Sequence, residues 1–325
     1  MNGVEVLCLG ELMLDMVARE AADGSITGFD MKPGGAAGNV AVAAGRLGLR
    51  PGVIAKVSGD FFGRVMKKTM EDEGVDTTAL VMDPDRKIVM AFVTYDDQKK
   101  PDYLFYRENA ASASLGADEI RPEWFDGAKV LYYSSMGLVR DPLRTANYQA
   151  AKLAAEAGAR IAFDPNIRFG VWPSREAVRE QVLKMMELVN ICKMNDEEMA
   201  FLFGEGDIAA RCRGIMSAFP RMELVAITLG AEGAFLMNRA GEWARVGALA
   251  NDVVDTMGAG DSFFAALLER AVRSGFRYES RQQLRTMLEY ANAAALLTAR
   301  RPGAIPAMPR AEEVERLRRE YDRMI

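Results

Sequence analysis

The chain has 325 residues, half of them hydrophobic, with a formal charge of −5. That is enough apolar material for one large α/β domain or two small ones, and the negative balance argues against nucleic acid as a partner. There is no histidine, which excludes Ser-His-Asp and Cys-His schemes, histidine metal sites and histidine proton shuttles; any general base is Asp, Glu, Lys, Tyr or Cys.

Apolar runs alternate with helical patterns along the chain. Val4–Leu9 reads as a strand and Asn39–Leu47 as a helix of small residues. A strand at Gly52–Val57 precedes a helix at Phe61–Glu73, closed by Gly74. Then come strand Lys129–Ser134, helix Pro142–Ala157 closed by Gly158, strand Arg160–Phe163 and helix Ser174–Leu188. Strand Asn190–Met194 leads into a helix from Asn195, and Leu224–Leu229 is another strand. Ala259–Ser274 and Arg281–Ala299 read as long, mostly buried helices. This rhythm predicts a mainly parallel sheet covered on both faces, with ligands at the carboxyl ends of its strands. Leu12–Val17 and Val89–Tyr106 break it: they are extended, alternating segments with a polar turn at Asp96–Pro101, which reads as a small flap sheet or an ordinary surface hairpin.

No apolar run reaches membrane-spanning length and no basic region precedes an apolar one at the start, so a soluble, cytoplasmic protein with no membrane partner is expected. Cys8, Cys192 and Cys212 lack metal-type spacing and read as buried reduced thiols. The methionines read as adaptable core filler, and Arg310–Arg323 as a solvated terminal helix of mixed charge. Trp124, Trp172 and Trp243 suggest no stacking arrangement.

Two glycine-rich segments carry the chemistry. In Asp255-Thr256-Met257-Gly258-Ala259-Gly260-Asp261, small residues lead into a helix whose first turn offers unpaired N–H groups and partial positive charge, a cradle for an anion. Asp261 sits where a reaction that loses a proton needs a base; as a mere helix cap it leaves the two preceding glycines unexplained. In Pro33-Gly34-Gly35-Ala36-Ala37-Gly38-Asn39, the Gly-Gly step allows close approach of a ligand to the backbone, and Asn39 can donate to and accept from a hydroxyl; a tight turn is the competing reading. Neither segment is a Walker A loop or a G-x-G-x-x-G turn, so a dinucleotide-dependent oxidoreductase has no support. Asn195 and Glu198, three apart at a helix start, share a face and fit either a capping box or a metal site.

In this order the segments resemble the ribokinase-like (PfkB-type) carbohydrate kinases, fructokinase branch. The resemblance rests on Gly10-Glu11-Leu12-Met13-Leu14-Asp15, the Gly34-Gly35 and Asn39 signature, Phe105-Tyr106-Arg107, Asp164-Pro165-Asn166-Ile167-Arg168, Lys193 to Glu198, Thr228 to Gly233, and Asp255 to Asp261. It implies one α/β domain over residues 1–325, a three-layer α/β/α fold with a mainly parallel central sheet, and a lid sheet from segments 11–33 and 88–109. It implies a sugar kinase that uses ATP and Mg²⁺, with fructose the leading acceptor. A 2-keto-3-deoxygluconate kinase and a non-catalytic sugar- or nucleotide-binding sensor are the alternatives. By the same resemblance Asp261 is the catalytic base, Gly258, Ala259 and Gly260 the anion cradle, and Arg168 lies near the transferred phosphate. Asp15, Gly34, Gly35, Asn39 and Arg107 contact the sugar; Arg107 is also the candidate cation for a sugar acid. Lys193, Asn195, Thr228, Gly230, Gly233 and Asn292 form the nucleotide side, and Asn195 with Glu198 organises Mg²⁺ through water. Some relatives bind K⁺ near the cradle; Met257 stands where a second threonine is expected, which leaves K⁺ open. A homodimer through the lid is the implied assembly.

Overall fold

Residues Val6–Leu9 (β1) are buried along their whole length, because successive side chains enter two different cores. Val6 and Cys8 join one apolar cluster, Leu7 and Leu9 the other. The computed structural model describes residues 1, 3–95, 101–249 and 252–321. The polar turn expected at 96–100 and the end of the expected terminal helix at 322–323 lie outside the described residues.

The chain leaves β1 for a hairpin, β2 (Met13–Glu20) and β3 (Ile26–Gly34), then re-enters the body as helix α1 (Ala36–Arg46). Strand β4 (Pro51–Ser58), helix α2 (Phe61–Asp72) and strand β5 (Asp76–Asp83) follow. A second excursion forms β6 (Val89–Tyr95) and β7 (Pro101–Tyr106). The chain then runs β8 (Val130–Ser134), α3 (Leu143–Glu156), β9 (Arg160–Asp164), α4 (Arg175–Met186), β10 (Ile191–Asn195), α5 (Asp196–Phe203), α6 (Ile208–Ala218) and β11 (Leu224–Thr228). It ends with β12 (Ala234–Asn238), β13 (Trp243–Val246), α7 (Ala259–Arg273), α8 (Arg281–Ala299) and α9 (Ala311–Arg318).

Among the described residues the large sheet has nine strands in the order β13-β12-β11-β10-β9-β8-β1-β4-β5. It is parallel from β5 to β11; β12 and β13 close one edge antiparallel. Helices α1, α7 and α8 pack on the face of Val6 and Cys8, and α3, α4 and α5 on the other. Small residues of α1, among them Ala37, Ala41 and Ala44, are buried in the cluster that also holds Phe263, Phe264 and Leu267 of α7. That close packing brings the starts of the two helices together.

The small sheet has the order β3-β2-β6-β7, with β2 and β6 parallel and each hairpin antiparallel. Period-two alternation puts Met13, Asp15, Lys32 and Phe105 on the face toward the body. Met16, Phe29, Phe92, Leu104 and Tyr106 lie on the outer face, where Phe92 meets Phe29 and Tyr106 edge-on at ring distances of 5.0 and 5.3 Å.

Sequence reasoning gave no place to β5, β12, β13 or α6. β5 opens with Asp76-Thr77-Thr78, polar because it is an edge, and β13 has only two buried side chains. α1 begins three residues before the expected Asn39, with Gly35 (φ 95°) at its N-cap. α9 is not solvated all round, since Val314 and Leu317 are buried. Trp243 does stack, on Phe235 at 5.3 Å and 24°, with the Arg281 guanidinium 5.2 Å from its ring.

Candidate active site

The parallel strands β1, β8, β9 and β10 end at Leu9, Ser134, Asp164 and Asn195, so one edge of the sheet presents their following residues together. Over that edge lies a cavity of about 830 Å³. The lid supplies Met13, Asp15, Lys32 and Phe105, the body supplies Asn39, Asp164, Arg168 and Lys193, and the cradle supplies Asp255 to Gly258, Gly260 and Asp261.

Gly258 is the N-cap of α7 and holds φ +76°, a conformation L side chains rarely adopt. A Cβ there would also meet Met308 and Ala304 at 2.9–3.0 Å. The cradle is braced from one side: the Asp255 carboxylate accepts from Met257 N–H at 2.9 Å and from Gly303 N–H at 2.8 Å. Ala259 N–H donates to Thr256 O at 3.2 Å, and Ser262 N–H to Gly258 O at 2.9 Å. The N–H groups of Gly260 and Asp261 have no such main-chain acceptor among the described residues, so the open donors sit slightly later than sequence reasoning placed them.

Asp261 is only 9% exposed, and Asn39 Nδ2 donates to its Oδ2 at 2.8 Å. Burial pushes its pKa up to about 6, with Asp164 adding to the rise; Asn39, Lys193 and Arg168 oppose it. The other end of Asn39, Oδ1, is buried without a hydrogen-bond partner among the described residues. A ligand hydroxyl is the natural donor for such an atom.

Lys193 Nζ binds Asp164 Oδ2 at 2.8 Å, and a Cβ on Gly260 would lie 3.0 Å from that ammonium, which places it beside the cradle. Burial by itself would discharge Lys193, but Asp164 and Glu198 outweigh it and hold its pKa above the ordinary lysine value. Arg168 is exposed, lines the cavity and has no carboxylate partner among the described residues.

Asp15 faces the cavity from β2, paired across the hairpin with Lys32. Burial raises its pKa to about 6, against the pull of Lys32. The glycines of the second motif serve this approach. A Cβ on Gly34 would lie 2.6 Å from Asp15 Oδ2, and one on Gly35 2.5 Å from Glu11 O.

The pair Asn195/Glu198 forms a capping box: Asn195 Oδ1 accepts from Glu198 N–H at 2.7 Å, and Glu198 Oε2 from Asn195 N–H at 2.9 Å. Glu198 Oε1 takes Ile167 N–H at 2.7 Å, so the same carboxylate pins the turn that carries Arg168. Burial, with Asp164 adding to it, raises the Glu198 pKa. No cluster of three or more metal-ligating side chains exists among the described residues.

Other expected contacts fall elsewhere. Arg107 is not a lining residue: it donates to Glu11 Oε1 at 2.8 Å in a partly buried pair. Thr228, Gly230, Gly233 and Asn292 lie outside the cavity. Thr228 pairs in register with Asn195 at the strand ends. Gly230 (φ +56°) opens the turn after β11. Gly233 has a structural duty, since a Cβ there would strike Val246 O at 2.0 Å, and Asn292 donates to the same oxygen at 3.2 Å. Sequence reasoning gave no role to Glu11, Lys32 or Asp164. Asp164 had a signal: a charged residue closing an otherwise apolar buried strand.

Residues 4–311 match the pfkB family carbohydrate kinase. Fructokinase-1 of Zea mays is 36% identical over 318 residues, spanning 96% of this chain and 97% of the relative. The structure of fructokinase with bound ATP from Xylella fastidiosa superposes with a TM-score of 0.88 at 26% identity, covering 98% and 99% of the two chains. A double-mutant fructokinase from Vibrio cholerae in its fructose-, ADP- and potassium-bound form gives 0.84 at 27% identity, with 97% and 98% covered.

Proposed function

This chain belongs to the pfkB family of carbohydrate kinases, and from that premise we propose that it is an ATP-dependent fructokinase, converting D-fructose to fructose 6-phosphate with Asp261 as the base. The observation that carries the chemistry is a buried carboxylate at a helix N-terminus, held by Asn39, in the same cavity as Asp15 and Arg168. With a pKa of about 6, Asp261 is ionised at neutral pH and still basic enough to take a hydroxyl proton as the oxygen attacks. The N–H groups of Gly260 and Asp261, with Arg168 and Lys193, neutralise charge on the phosphoryl group. Positioning and neutralisation are what phosphoryl transfer needs. Asp15, Asn39 and the Gly34-Gly35 backbone bind the sugar.

On the nucleotide side, Lys193 approaches the phosphates, while Thr228, Gly230, Gly233 and Asn292 shape the base and ribose rim. Asn195 and Glu198 would hold Mg²⁺ through water; the donor set is sparse, which suits an ion that keeps most of its hydration shell. When bound, Mg²⁺ lowers the charge of the phosphates. A fructokinase from Vibrio cholerae is known in a potassium-bound form; if K⁺ binds near the cradle of this chain, position 257 can offer only its main-chain oxygen, since Met257 has no side-chain oxygen.

The residues 1–325 act as one catalytic unit with its lid, in the cytoplasm; no described helix is long and apolar enough to cross a membrane, and the three cysteines are free and buried. The lid's outer face, with Leu104 60% and Tyr106 62% exposed, pairs with a second copy to form a homodimer. A monomeric mass in solution would remove the dimer.

The decisive test is ADP release with Mg·ATP over a panel of neutral and acidic sugars. Turnover with fructose supports the proposal. Ligand-induced stabilisation without turnover on any sugar would replace it with a binding sensor.

A further inference from the structure

A buried phenol lies beneath the base. Tyr132 of β8 is fully buried, in register with Cys8 of β1 and Ala162 of β9. Its side chain shares a face with Ser134 two residues on, as Ala162 does with Asp164, and Ser134 and Asp164 both line the cavity. That face is the one covered by α1 and α7. The Tyr132 ring meets Phe264 edge-on, with centroids 5.7 Å apart and planes at 73°. Phe264 follows Asp261 by three residues on α7, so it lies on the same side of the helix, one turn further from the cavity. The phenol therefore sits in the layer between the sheet and the first turn of α7, below the carboxylate that Asn39 holds. Its oxygen is buried without a hydrogen-bond partner among the described residues. Burial first, then the charges of Asp261 and Asp164, holds its pKa well above the ordinary phenol value, so the hydroxyl keeps its proton.

We propose that Tyr132 is a positioning residue for Asp261: its hydroxyl, with no acceptor of its own among the described residues, turns its O–H dipole toward the carboxylate and steadies it in the ionised form that takes the substrate proton. This deepens the kinase reading and rests on it. A hydroxyl hydrogen rotates to suit its surroundings, and in a water-poor interior a dipole acts on a charge far more strongly than in water. The groups facing Asp261 are Asn39 from α1, Cys8 from β1, Asp164 from β9, Arg168 beyond it and Lys193 from β10. Burial and Asp164 oppose the charged carboxylate; Asn39, Lys193 and Arg168 favour it. Cys8 adds no charge, because burial keeps its thiol protonated. Tyr132 adds to Asn39 a second neutral dipole, from the sheet side. Tyr133 is the contrast. It is as buried and its oxygen is also unpartnered among the described residues, but it points to the other face, where its ring meets Phe163 and its titratable neighbours are Tyr148 and Cys192.

The test is the pH profile of kcat/KM for fructose with Mg·ATP, measured on the full chain in the Asp15→Asn background, where Asp261 is left to titrate near 6. Tyr132→Phe should move the acid limb up by about half a pH unit or more, while kcat and the sugar KM on the plateau stay within about threefold. Tyr133→Phe removes an equally buried hydroxyl from the other face and should leave the limb in place. A Tyr132→Phe limb within about 0.2 of its Asp15→Asn parent, or one that moves down, overturns the proposal. So does an equal shift in Tyr133→Phe. Should Tyr132→Phe fail to fold, Tyr132→Met, likewise without a donor, takes its place. A second readout needs no turnover: the side-chain carboxyl ¹³C resonance that Asp261→Asn removes should titrate at a pH higher by the same amount in Tyr132→Phe, and an unmoved resonance refutes the idea. If the chain turns over no sugar, the kinase reading fails by itself, and the resonance alone decides whether Tyr132 acts on Asp261.

Discussion

At one end of the cleft the recognition groups are main-chain N–H donors at the start of α7, fixed by Gly258 in a left-handed conformation and braced by Asp255. At the other end they are side chains, Asp15, Lys32, Glu11 and Asn39, most of them brought in by the lid or its roots. The cradle end sets Lys193 and Arg168 among Asp164, Asp255 and Asp261; the sugar end sets Lys32 among Glu11, Asp15 and Glu20. The difference separates two tasks. A phosphoryl group is recognised by charge and needs a rigid, preorganised backbone, whereas one sugar is told from another by side chains.

Mutating each end in turn should break or sharpen that division. The largest effect belongs to Asp261→Asn, which should lower kcat by about a thousandfold with ATP binding largely kept. Full activity in this variant would end its assignment as base. The same change should stabilise the fold. Burial raises the Asp261 pKa above its unfolded value of 3.8, so its contribution to stability is present below that value and lost as pH rises through about 6. Above pH 6 the asparagine variant should therefore be more stable than the parent by on the order of 3 kcal/mol, read by denaturant titration.

Arg168→Ala removes the exposed cation at the cradle end. We expect kcat to fall about a hundredfold while the KM for the sugar stays within a few-fold. A rise confined to the sugar KM would move Arg168 to the other end of the cleft. Asp15→Asn should do the reverse, raising the sugar KM by about tenfold with a smaller change in kcat.

The pH profile of kcat/KM reads both ends at once. Two carboxyls with pKa values near 6, Asp15 and Asp261, must be ionised, so the rate should fall as pH drops through about 6 with a slope approaching two. Asp15→Asn should reduce that slope to one. An acid limb below pH 5 would refute the need for both carboxyls to be ionised in the free enzyme, whereas a limb displaced only in kcat would report a change made by the bound substrates.

How much was legible follows the same division. The alternation of strands and helices announced a sheet covered on both faces, because it depends on periodicity within a few residues; the extended segments fitted a flap sheet and a surface hairpin equally, and only the family resemblance implied the lid. β5 and β13 escaped notice because edge strands bury little and lose the pattern. Asp261 was conspicuous by itself, as a charge in a glycine-rich turn of a chain without histidine. Gly233 and Asn292 were named only through the resemblance, and their meeting at Val246 O, one by close approach and the other by a hydrogen bond, has no signal in the local sequence.

By itself the sequence determined the layered α/β architecture, the cradle and the kind of chemistry, since glycines, helix starts and hydrophobic periods act over short range. Only the tertiary structure joined Asn39 to Asp261 across 222 positions and engaged Arg107 with Glu11 across 96. Such pairings depend on how α1 packs on α7 and where the lid strands return to the body. Which groups meet, and which are left to meet a ligand, is decided by the packing of distant elements.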